Sequence, residues 1–520
     1  MRGEFLVMGA LLSAAAMAVA DEPALVPAPR SVAWTRGTYS AAAAPGTLLS
    51  RDAELPRAAI RFETDAALPA EGYRLEVAPS GVTVWSADAA GAFYATRTLK
   101  QMSRVGGDRK KGFTLDYPCG TVTDAPAFRW RGFMLDEGRH FFGREVVCRY
   151  LDLMADHKLN VFHWHLTEDQ GWRLAIDRFP ELVKYGSVRP ESVRLGYTGR
   201  PQTGDQVTNG EKYGPYFYTA DDVREILDYA AARHITVIPE IEVPGHVRAL
   251  LAAHPEFSCR GDIARVPRLG NSIEDDVLCA GNDEAIRFIE QVYDEVMKLF
   301  PGAYFHLGGD ECPKKRWKEC PKCQARMKAL GLKDEEELQG WFTRHFTEYL
   351  AKRGRRAIGW DEVLAGKPGL ETVVQSWRAN ATYAVKAAEA GHDVIVSSVD
   401  ATYFSVPEQH PDDPFTYMSP NRHVTLTEAY QFDPYKGMTE ATKPRVIGAE
   451  CALWSECIWN VFDLDYKAWP RTCAFAEAVW SAPSAPRDVR EFAARAEVHR
   501  LRLIGRGVVC APIRVSPTEK

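Results

Sequence analysis

A chain of 520 residues is longer than one ordinary core supports, so two or three domains are expected. Apolar residues make up 46% and charged residues 26%, the balance of a globular protein. The net charge of -6, with no Lys/Arg-rich run, excludes a basic field for nucleic acid, whereas thirteen Trp suit stacking on sugar rings as well as ordinary packing.

Phe5 to Ala20 is apolar and Ala-rich, Arg2 supplies an early positive charge opposed by Glu4, and Ala18-Val19-Ala20 forms a small-x-small cleavage site before Asp21. Residues 1–20 therefore read as a signal peptide, and a secreted or periplasmic location is expected. The run is too short to span a bilayer and no later stretch is long enough, so no transmembrane segment is expected. Next, Tyr73–Val77 and Val82–Trp85 alternate with period two around Ala78-Pro79-Ser80-Gly81, which predicts a hairpin. A helix is predicted from Asp88, a possible N-cap, to Met102. Residues 21–125 thus form a small α/β domain, with Pro118 and Pro126 marking the linker.

From Arg129 short strands alternate with amphipathic helices. Strands are predicted at Gly132–Leu135, Val161–His165, Thr236–Ile241, Tyr304–Leu307, Arg356–Trp360, Thr372–Ser376, Asp393–Ser397 and Val446–Ala449. Helices are predicted at Glu145–Lys158, Asp221–Arg233, Asp283–Leu299 and Glu335–Arg353. Eight such strands imply an α/β fold, a (β/α)8 TIM barrel over 126–485, followed by a C-terminal helical extension over 486–520. A doubly wound sheet is the alternative, but no Gly-x-Gly-x-x-Gly follows the first strand.

Function in such a barrel sits at the C-terminal ends of the strands. Acids and aromatics cluster there: Asp136, Glu137 and Arg139; Glu168, Asp169 and Trp172; Glu240, Glu242 and His246; Asp310 and Glu311; Trp360 and Asp361; Trp377 and Arg378; Tyr403; Trp454 and Glu456. The densest stretch is His306-Leu307-Gly308-Gly309-Asp310-Glu311-Cys312, a strand running through two glycines into paired carboxylates whose positions the backbone sets. A solvated acidic turn is the bland alternative for any isolated Asp-Glu.

Eleven cysteines, an odd number, leave at least one outside any intramolecular pair. Cys312, Cys320 and Cys323 lie close together, and Cys259 and Cys279 flank one loop. Disulfides, reduced packing thiols and a zinc site all remain open; for zinc, Cys320-Pro321-Lys322-Cys323 needs a further ligand, and Cys312 is the obvious one nearby.

The motifs Arg131-Gly132-Phe133-Met134-Leu135-Asp136 with Arg139-His140, Asn160-Val161-Phe162-His163-Trp164-His165, Pro244-Gly245-His246, His306 to Glu311 and Gly359-Trp360-Asp361-Glu362 resemble glycoside hydrolase family 20, the β-N-acetylhexosaminidases, over essentially the whole mature chain. The resemblance implies an exo-acting, retaining hydrolase that releases terminal β-linked GlcNAc or GalNAc by substrate-assisted catalysis through an oxazolinium. Its implied partner is a glycan ending in a β-linked N-acetylhexosamine; no cofactor and no metal are implied, and the oligomeric state stays open. Glu311 would be the general acid and base, protonated at rest, while Asp310 stays ionised and steers the acetamido group. Arg139 would clamp the sugar hydroxyls, Tyr403 bind the acetamido oxygen, and Trp360, Trp377 and Trp454 wall the ring. Glu456 would bind the 4- or 6-hydroxyl, and His246 would sit behind Glu311.

Three departures qualify the transfer. Glu168-Asp169 stands where many members have Asp-Asp, so Glu168 is expected to reach the site or salt-bridge Arg139. Glu242 begins the Pro-Gly-His turn where an Asp is common, so the support for His246 is expected to shift. Tyr403-Phe404-Ser405 lacks the Asp of Tyr-x-Asp, which opens the alternative of a 6-modified, for example sulfated, GlcNAc unless Glu408 fills the gap. Two rivals remain: a metal hydrolase built on His163-x-His165, for which no set of later ligands assembles, and a glycan-binding protein without catalysis, against which Asp310, Glu311 and Tyr403 all argue.

Overall fold

The structure, a computed structural model, describes residues 22–42, 54–108, 112–194, 207–208, 210–263, 265–268, 273–408, 423–485 and 487–515. The expected signal peptide lies outside the described residues. No helix among those described is long and apolar enough to cross a membrane.

The N-terminal part is a six-stranded sheet. Ser31–Ala42 pairs with Gly112–Asp124, followed by Tyr73–Ala78, Gly81–Ser86 and Ile60–Thr64, while Arg104–Asp108 also runs along Gly112–Asp124. The predicted hairpin forms, with Leu75 opposite Val84 and Ala78 opposite Gly81. Period-two alternation buries Tyr73, Leu75 and Val77 on one face, against Tyr94, Ala95, Leu99 and Met102 of the helix Ala89–Met102. Each fully buried aliphatic side chain here contributes roughly 1.5–3 kcal/mol. Asp88 caps the helix by accepting the Gly91 N–H at 2.8 Å.

Eight parallel strands then close a barrel. In chain order they are Trp130–Asp136, Val161–His165, Thr236–Glu240, Tyr304–His306, Arg356–Trp360, Val373–Ser376, Val394–Val396 and Val446–Leu453. The last pairs with the first through Leu453 opposite Leu135. It runs four residues beyond the predicted end at Ala449 because Glu450, which interrupts the apolar pattern, points into the barrel and is satisfied there. His163 Nδ1 lies 2.7 Å from its Oε1 and Gln375 Nε2 donates to the same oxygen at 2.7 Å. The four predicted helices appear as Arg144–Asp156, Ala220–Ala231, Asp283–Leu299 and Glu335–Ala351. Val147, Tyr150, Leu151 and Met154 of the first are buried against the barrel wall. Beyond the barrel, the helix Val489–Gly505 packs on it, with Phe492 stacked on Tyr430 at 4.3 Å.

The barrel interior is layered. Val161, Ile238, Ile358, Val373, Ile395 and Ile447 form an apolar floor. Above it lie His163, Glu240, His306, Gln375 and Glu450, and above these the cluster of Met134, Trp360, Tyr403, Ala452 and Trp454. The sheet domain is joined to the barrel through Asp124, which is fully buried. Lys158 Nζ is 2.8 Å from its Oδ2, the Tyr73 hydroxyl donates to Oδ2 at 2.8 Å, and Trp480 Nε1 donates to Oδ1 at 2.9 Å.

Candidate active site

The fourth strand ends in a turn that only this sequence type accommodates. Gly308 and Gly309 take φ of 73° and 98°, and Glu311 itself has φ 45°. A left-handed conformation costs a non-glycine residue roughly 1–2 kcal/mol, so the two glycines confine the strain to Glu311. A Cβ on Gly308 would overlap the Glu242 carboxylate, whose Oε1 accepts the Gly309 N–H at 2.8 Å. Gln339 Nε2 donates to the Gly309 carbonyl at 2.7 Å and completes the turn's support.

Asp310 and Glu311 project toward one imidazole. His246 Nε2 lies 3.7 Å from Asp310 Oδ2 and 3.6 Å from Glu311 Oε2. On its other side, His246 Nδ1 is 2.8 Å from Glu168 Oε1 and 3.4 Å from Asp169 Oδ2. The support expected from Glu242 therefore comes from the second strand instead; Glu242 is spent on the glycine turn. Burial alone would depress the His246 pKa, but Glu168 and Asp169 hold it well above the usual imidazole value, so it is an imidazolium.

Glu168 does more than reach the site. Its Oε2 is 3.0 Å from Arg139 Nη2 and 3.2 Å from His165 Nε2. Arg139 is further held by Asp136 at 3.2 Å and lies 5.1 Å from the centre of the Trp454 ring. Burial opposes its charge, yet Glu168, Glu456 and Asp136 raise its pKa well above the ordinary guanidinium value. The extra methylene of Glu168 is what lets one carboxylate serve three cations.

The aromatic residues gather above this floor. Trp360 and Trp454 ring centres are 5.7 Å apart, Tyr403 is 6.2 Å from Trp454, and Trp377 stacks on Tyr403 at 6.3 Å. Tyr403 is placed by a parallel bridge to Ala452 of the eighth strand. Asp310 Oδ1, Trp454 Nε1 and Glu456 Oε2 are buried polar atoms without a hydrogen-bond partner among the described residues, a need that sugar hydroxyl and amide groups would meet. All ten residues singled out from the sequence thus belong to one connected mouth.

The proton distribution differs from the one expected. Burial pushes Asp310 up to about 7, against the pull of His246 and with the push of Glu311. Glu311 is lowered, chiefly by its interaction with His246, against a smaller effect of burial. Without substrate, then, it is Asp310 that favours the proton and Glu311 that favours ionisation. The two differ because burial dominates at Asp310, whose side chain is 13% exposed, whereas the His246 interaction dominates at Glu311, whose side chain is 37% exposed.

Two further acids, Asp361 and Glu362, stand in the strand-end motif read from the sequence, which assigns them no role. Asp361 accepts the Trp377 N–H at 3.1 Å and Arg378 Nε at 2.5 Å, and Glu362 accepts Trp377 Nε1 at 3.1 Å. Burial and the neighbouring Asp310 and Asp361 charges push Glu362 up to about 8. Asp361-Glu362 repeats at the fifth strand the acid pair of the fourth, and that repetition was the available signal. Both border a cavity of about 560 Å³ that opens beside Glu311 and is lined by Lys314, Gln339, Arg378 and Tyr383 as well. His163 and His165, the pair that suggested a metal hydrolase, are instead bound inside the barrel. His163 Nε2 is 3.0 Å from Glu240 Oε2, and His165 Nδ1 meets the same oxygen. Burial would lower both, but Glu450 and Glu240 raise His163 to about 9, and Glu240 and Glu168 raise His165 to about 10.

Known proteins match this arrangement over nearly all of it. The model of the glycosyl hydrolase family 20 catalytic domain matches residues 128–483, and that of the family's domain 2 matches residues 28–125. A β-hexosaminidase of Porphyromonas gingivalis is 41% identical over 456 residues, covering 86% of this chain and 56% of that protein. One from Akkermansia muciniphila is 34% identical, covering 88% of this chain and 87% of the relative. Among solved structures, the family 20 exo-β-N-acetylglucosaminidase of Vibrio harveyi in complex with N-acetylglucosamine superimposes with a TM-score of 0.81 at 31% identity, over 94% of this chain and 78% of that one. The chain spans about half the length of the Porphyromonas relative and most of the other two. With the barrel and the preceding sheet domain both matched by the family's models, the chain belongs to glycosyl hydrolase family 20.

Proposed function

We propose that the protein is an exo-acting, retaining β-N-acetylhexosaminidase that releases terminal β-linked GlcNAc or GalNAc from glycans by substrate-assisted catalysis. The observation that carries this reading is the placement of Asp310 and Glu311 beside one another on His246 Nε2, at 3.7 and 3.6 Å. A protein nucleophile and an acid must face each other across the glycosidic bond, and side chains converging on one imidazole do not. The nucleophile is then the substrate's own acetamido oxygen. Asp310 accepts the acetamide N–H and faces the positive charge of the oxazolinium. Glu311 gives its proton to the leaving oxygen and later takes one from water.

The substrate-free protonation preference fits this cycle once binding is included. An acetamide N–H donated to Asp310 favours its ionised form, and an aglycone covering the half-exposed Glu311 removes the water that stabilises its anion. Binding thus moves the shared proton from Asp310 to Glu311, where the acid is needed. Arg139, oriented by Asp136 and Glu168, presents its planar fork to the ring hydroxyls. Trp360, Trp377 and Trp454 enclose the methyl and ring face, Tyr403 meets the acetamido oxygen, and Glu456 meets an outer hydroxyl.

The test is turnover of a 4-nitrophenyl N-acetyl-β-glucosaminide series bearing zero to three fluorines on the acetyl methyl. Fluorine weakens the acetamido oxygen as a nucleophile, so kcat/KM falls steadily along the series. A flat series would refute the mechanism. Glu311→Gln is expected to lose about 10²–10⁴-fold on the plain substrate. Binding of the sugar with no turnover by the wild type would instead support a glycan-binding protein.

The reading of a 6-modified substrate rests on Ser405. Glu408 does not supply the missing carboxylate, since Arg471 at 3.8 Å and Arg514 at 3.5 Å engage it. The Ser405 hydroxyl is buried and has no hydrogen-bond partner among the described residues. If that position serves a sulfated 6-group, the 6-sulfated glycoside outruns the plain one and Ser405→Asp reverses the order; an unchanged order removes this alternative.

A further inference from the structure

Four cysteines from two separate loops converge within the structure. Cys259, Cys279, Cys320 and Cys323 have all four Sγ atoms within 4.8 Å of one another, three of them on buried residues and Cys259 half-buried. Cys279 Sγ is 3.7 Å from both Cys320 and Cys323 Sγ, and Cys323 Sγ is also 3.8 Å from Cys259 Sγ. Four thiolates at Zn–S distances of about 2.3 Å around a tetrahedral centre stand about 3.8 Å apart, the edge of that tetrahedron. Disulfide pairing would give each sulfur one exclusive partner about 2 Å away. Here Cys279 and Cys323 each have two equidistant partners, which is the geometry of a shared centre.

The backbone around the cluster is built for it. Cys320 caps the helix Pro321–Leu330 with Pro at its first position, so Cys320-Pro321-Lys322-Cys323 forms a tight knuckle with both sulfurs on one side. Cys259 and Cys279 directly follow the two members of the antiparallel bridge Ser258–Leu278, and the Cys279 N–H donates to the Phe257 carbonyl at 2.9 Å. Gly281 lies so close to Lys322 and Cys323 that a Cβ there would overlap their backbone. Cys312, the ligand expected from sequence proximity, is not part of the set; its sulfur instead faces the Pro313 carbonyl at 3.9 Å. The true second pair sits over forty residues upstream.

We propose that Cys259, Cys279, Cys320 and Cys323 bind one structural Zn2+ as a closed tetrathiolate site. Four sulfurs leave no position for water, so the metal takes no part in hydrolysis. Soft thiolate donors select zinc over the hard cations that carboxylate sites take. The site clips the loop after the third barrel strand to the segment after the fourth. The same two segments carry His246 and Asp310-Glu311; the Leu278 N–H holds the first together near His246 by donating to the Pro244 carbonyl at 3.0 Å, and Trp317 Nε1 ties the second to it by donating to the Leu278 carbonyl at 2.9 Å. Zinc binding therefore braces the acid turn from behind. This inference rests on the cysteine geometry alone and does not depend on the proposed substrate.

The test uses the full chain, purified without chelator, and reads metal content by inductively coupled plasma mass spectrometry. One zinc per chain is expected, reduced at least tenfold in the Cys320→Ser/Cys323→Ser double variant and unchanged in Cys148→Ser, whose thiol lies elsewhere. Replacing the metal with Co2+ in the wild type is expected to give the intense visible bands of tetrahedral cobalt and a thiolate charge-transfer band. That spectrum decides the matter even if the double variant does not fold. An intact mass lacking the four hydrogens removed by two disulfides would overturn the proposal. So would less than about a tenth of an equivalent of zinc after refolding with zinc and reductant, or iron in its place.

Discussion

Glu168→Gln isolates the carboxylate that holds both Arg139, the proposed sugar clamp, and His246 behind the acid turn. The substitution keeps the side chain's length and removes its charge. Arg139 retains Asp136 at 3.2 Å and the nearby Glu456, so it stays paired. His246 Nδ1 loses the carboxylate charge 2.8 Å away, and the one anion left on that nitrogen is Asp169, at 3.4 Å. Breaking one buried pair costs about 3–5 kcal/mol when nothing replaces the partner. With Asp169 remaining, about 3 kcal/mol is expected at the transition state, which is about 10²-fold in kcat/KM. The pH dependence gives a second readout. As His246 loses the anion that keeps it protonated, it stops favouring the ionised forms of Asp310 and Glu311, so both carboxyl pKa values rise. Since Asp310 must be ionised to act, the acid limb of kcat/KM moves to higher pH. Steady-state hydrolysis of 4-nitrophenyl N-acetyl-β-glucosaminide across pH measures both effects. Glu168→Asp, shorter by about 1.5 Å, opens the same contacts and is expected to behave similarly. A Glu168→Gln enzyme within about threefold of wild type, with an unmoved acid limb, would refute the account of this carboxylate as the shared support.

Two other outcomes follow from buried charges. Asp310 is raised to about 7 in the substrate-free protein, so its ionised form is penalised by folding as pH rises from the ordinary carboxylate range through about 7. Wild-type kcat/KM is therefore expected to climb through about pH 7 on its acid side, and substrate-free Asp310→Asn to gain thermal stability over wild type at about pH 8 but not at about pH 4; a limb near pH 4 would contradict this. At the domain junction, Lys158→Met removes the cation from the wholly buried Asp124 carboxylate and leaves it only neutral donors, the Tyr73 hydroxyl, Trp480 Nε1 and the Arg30 and Ala125 N–H groups, so a loss of about 3–5 kcal/mol is expected. Urea unfolding followed by both circular dichroism and tryptophan fluorescence measures it, and a loss below about 1 kcal/mol would show that the ion pair merely compensates its own desolvation.

What the chain's linear pattern makes legible is whatever repeats locally. Alternation exposes the Tyr73–Ala78 and Gly81–Ser86 hairpin, and short apolar runs, most of them ending in acids, expose all eight barrel strands. The eighth was cut short because Glu450 looks like a terminator; only the opposed His163 and Gln375, far away in sequence, make it an interior residue. Positions where one side chain answers another across the barrel are likewise invisible in one dimension. Glu242 looked like the support for His246 because they are four residues apart, but the turn geometry at Gly308 and Gly309 claims it. The proton preference of Asp310 over Glu311 depends on how deeply Asp310 is buried and on how His246 engages Glu311, which adjacent residues cannot reveal. Cysteine partners were misjudged for the same reason: nearness along the chain favoured Cys312, whereas folding brings up Cys259 and Cys279.

The middle layer of the barrel sets limits on how this protein can diversify. One carboxylate, Glu240, meets His163, His165 and His306 and accepts Trp360 Nε1 at 2.9 Å. Through His165 it reaches Glu168, and from there Arg139 and His246. A change at any of these nodes alters charge balance at several others, so single substitutions there are nearly all losses and improvements would need simultaneous partners. The rim is different. Trp377 and Glu362 are coupled to each other by one hydrogen bond but, like Ser405, are not bonded to the Glu240 and Glu168 carboxylates, so they can vary without disturbing those charges. Lineages descending from such a protein are expected to keep the amino-sugar recognition unchanged while drifting in what they accept at the outer hydroxyls and on the leaving side.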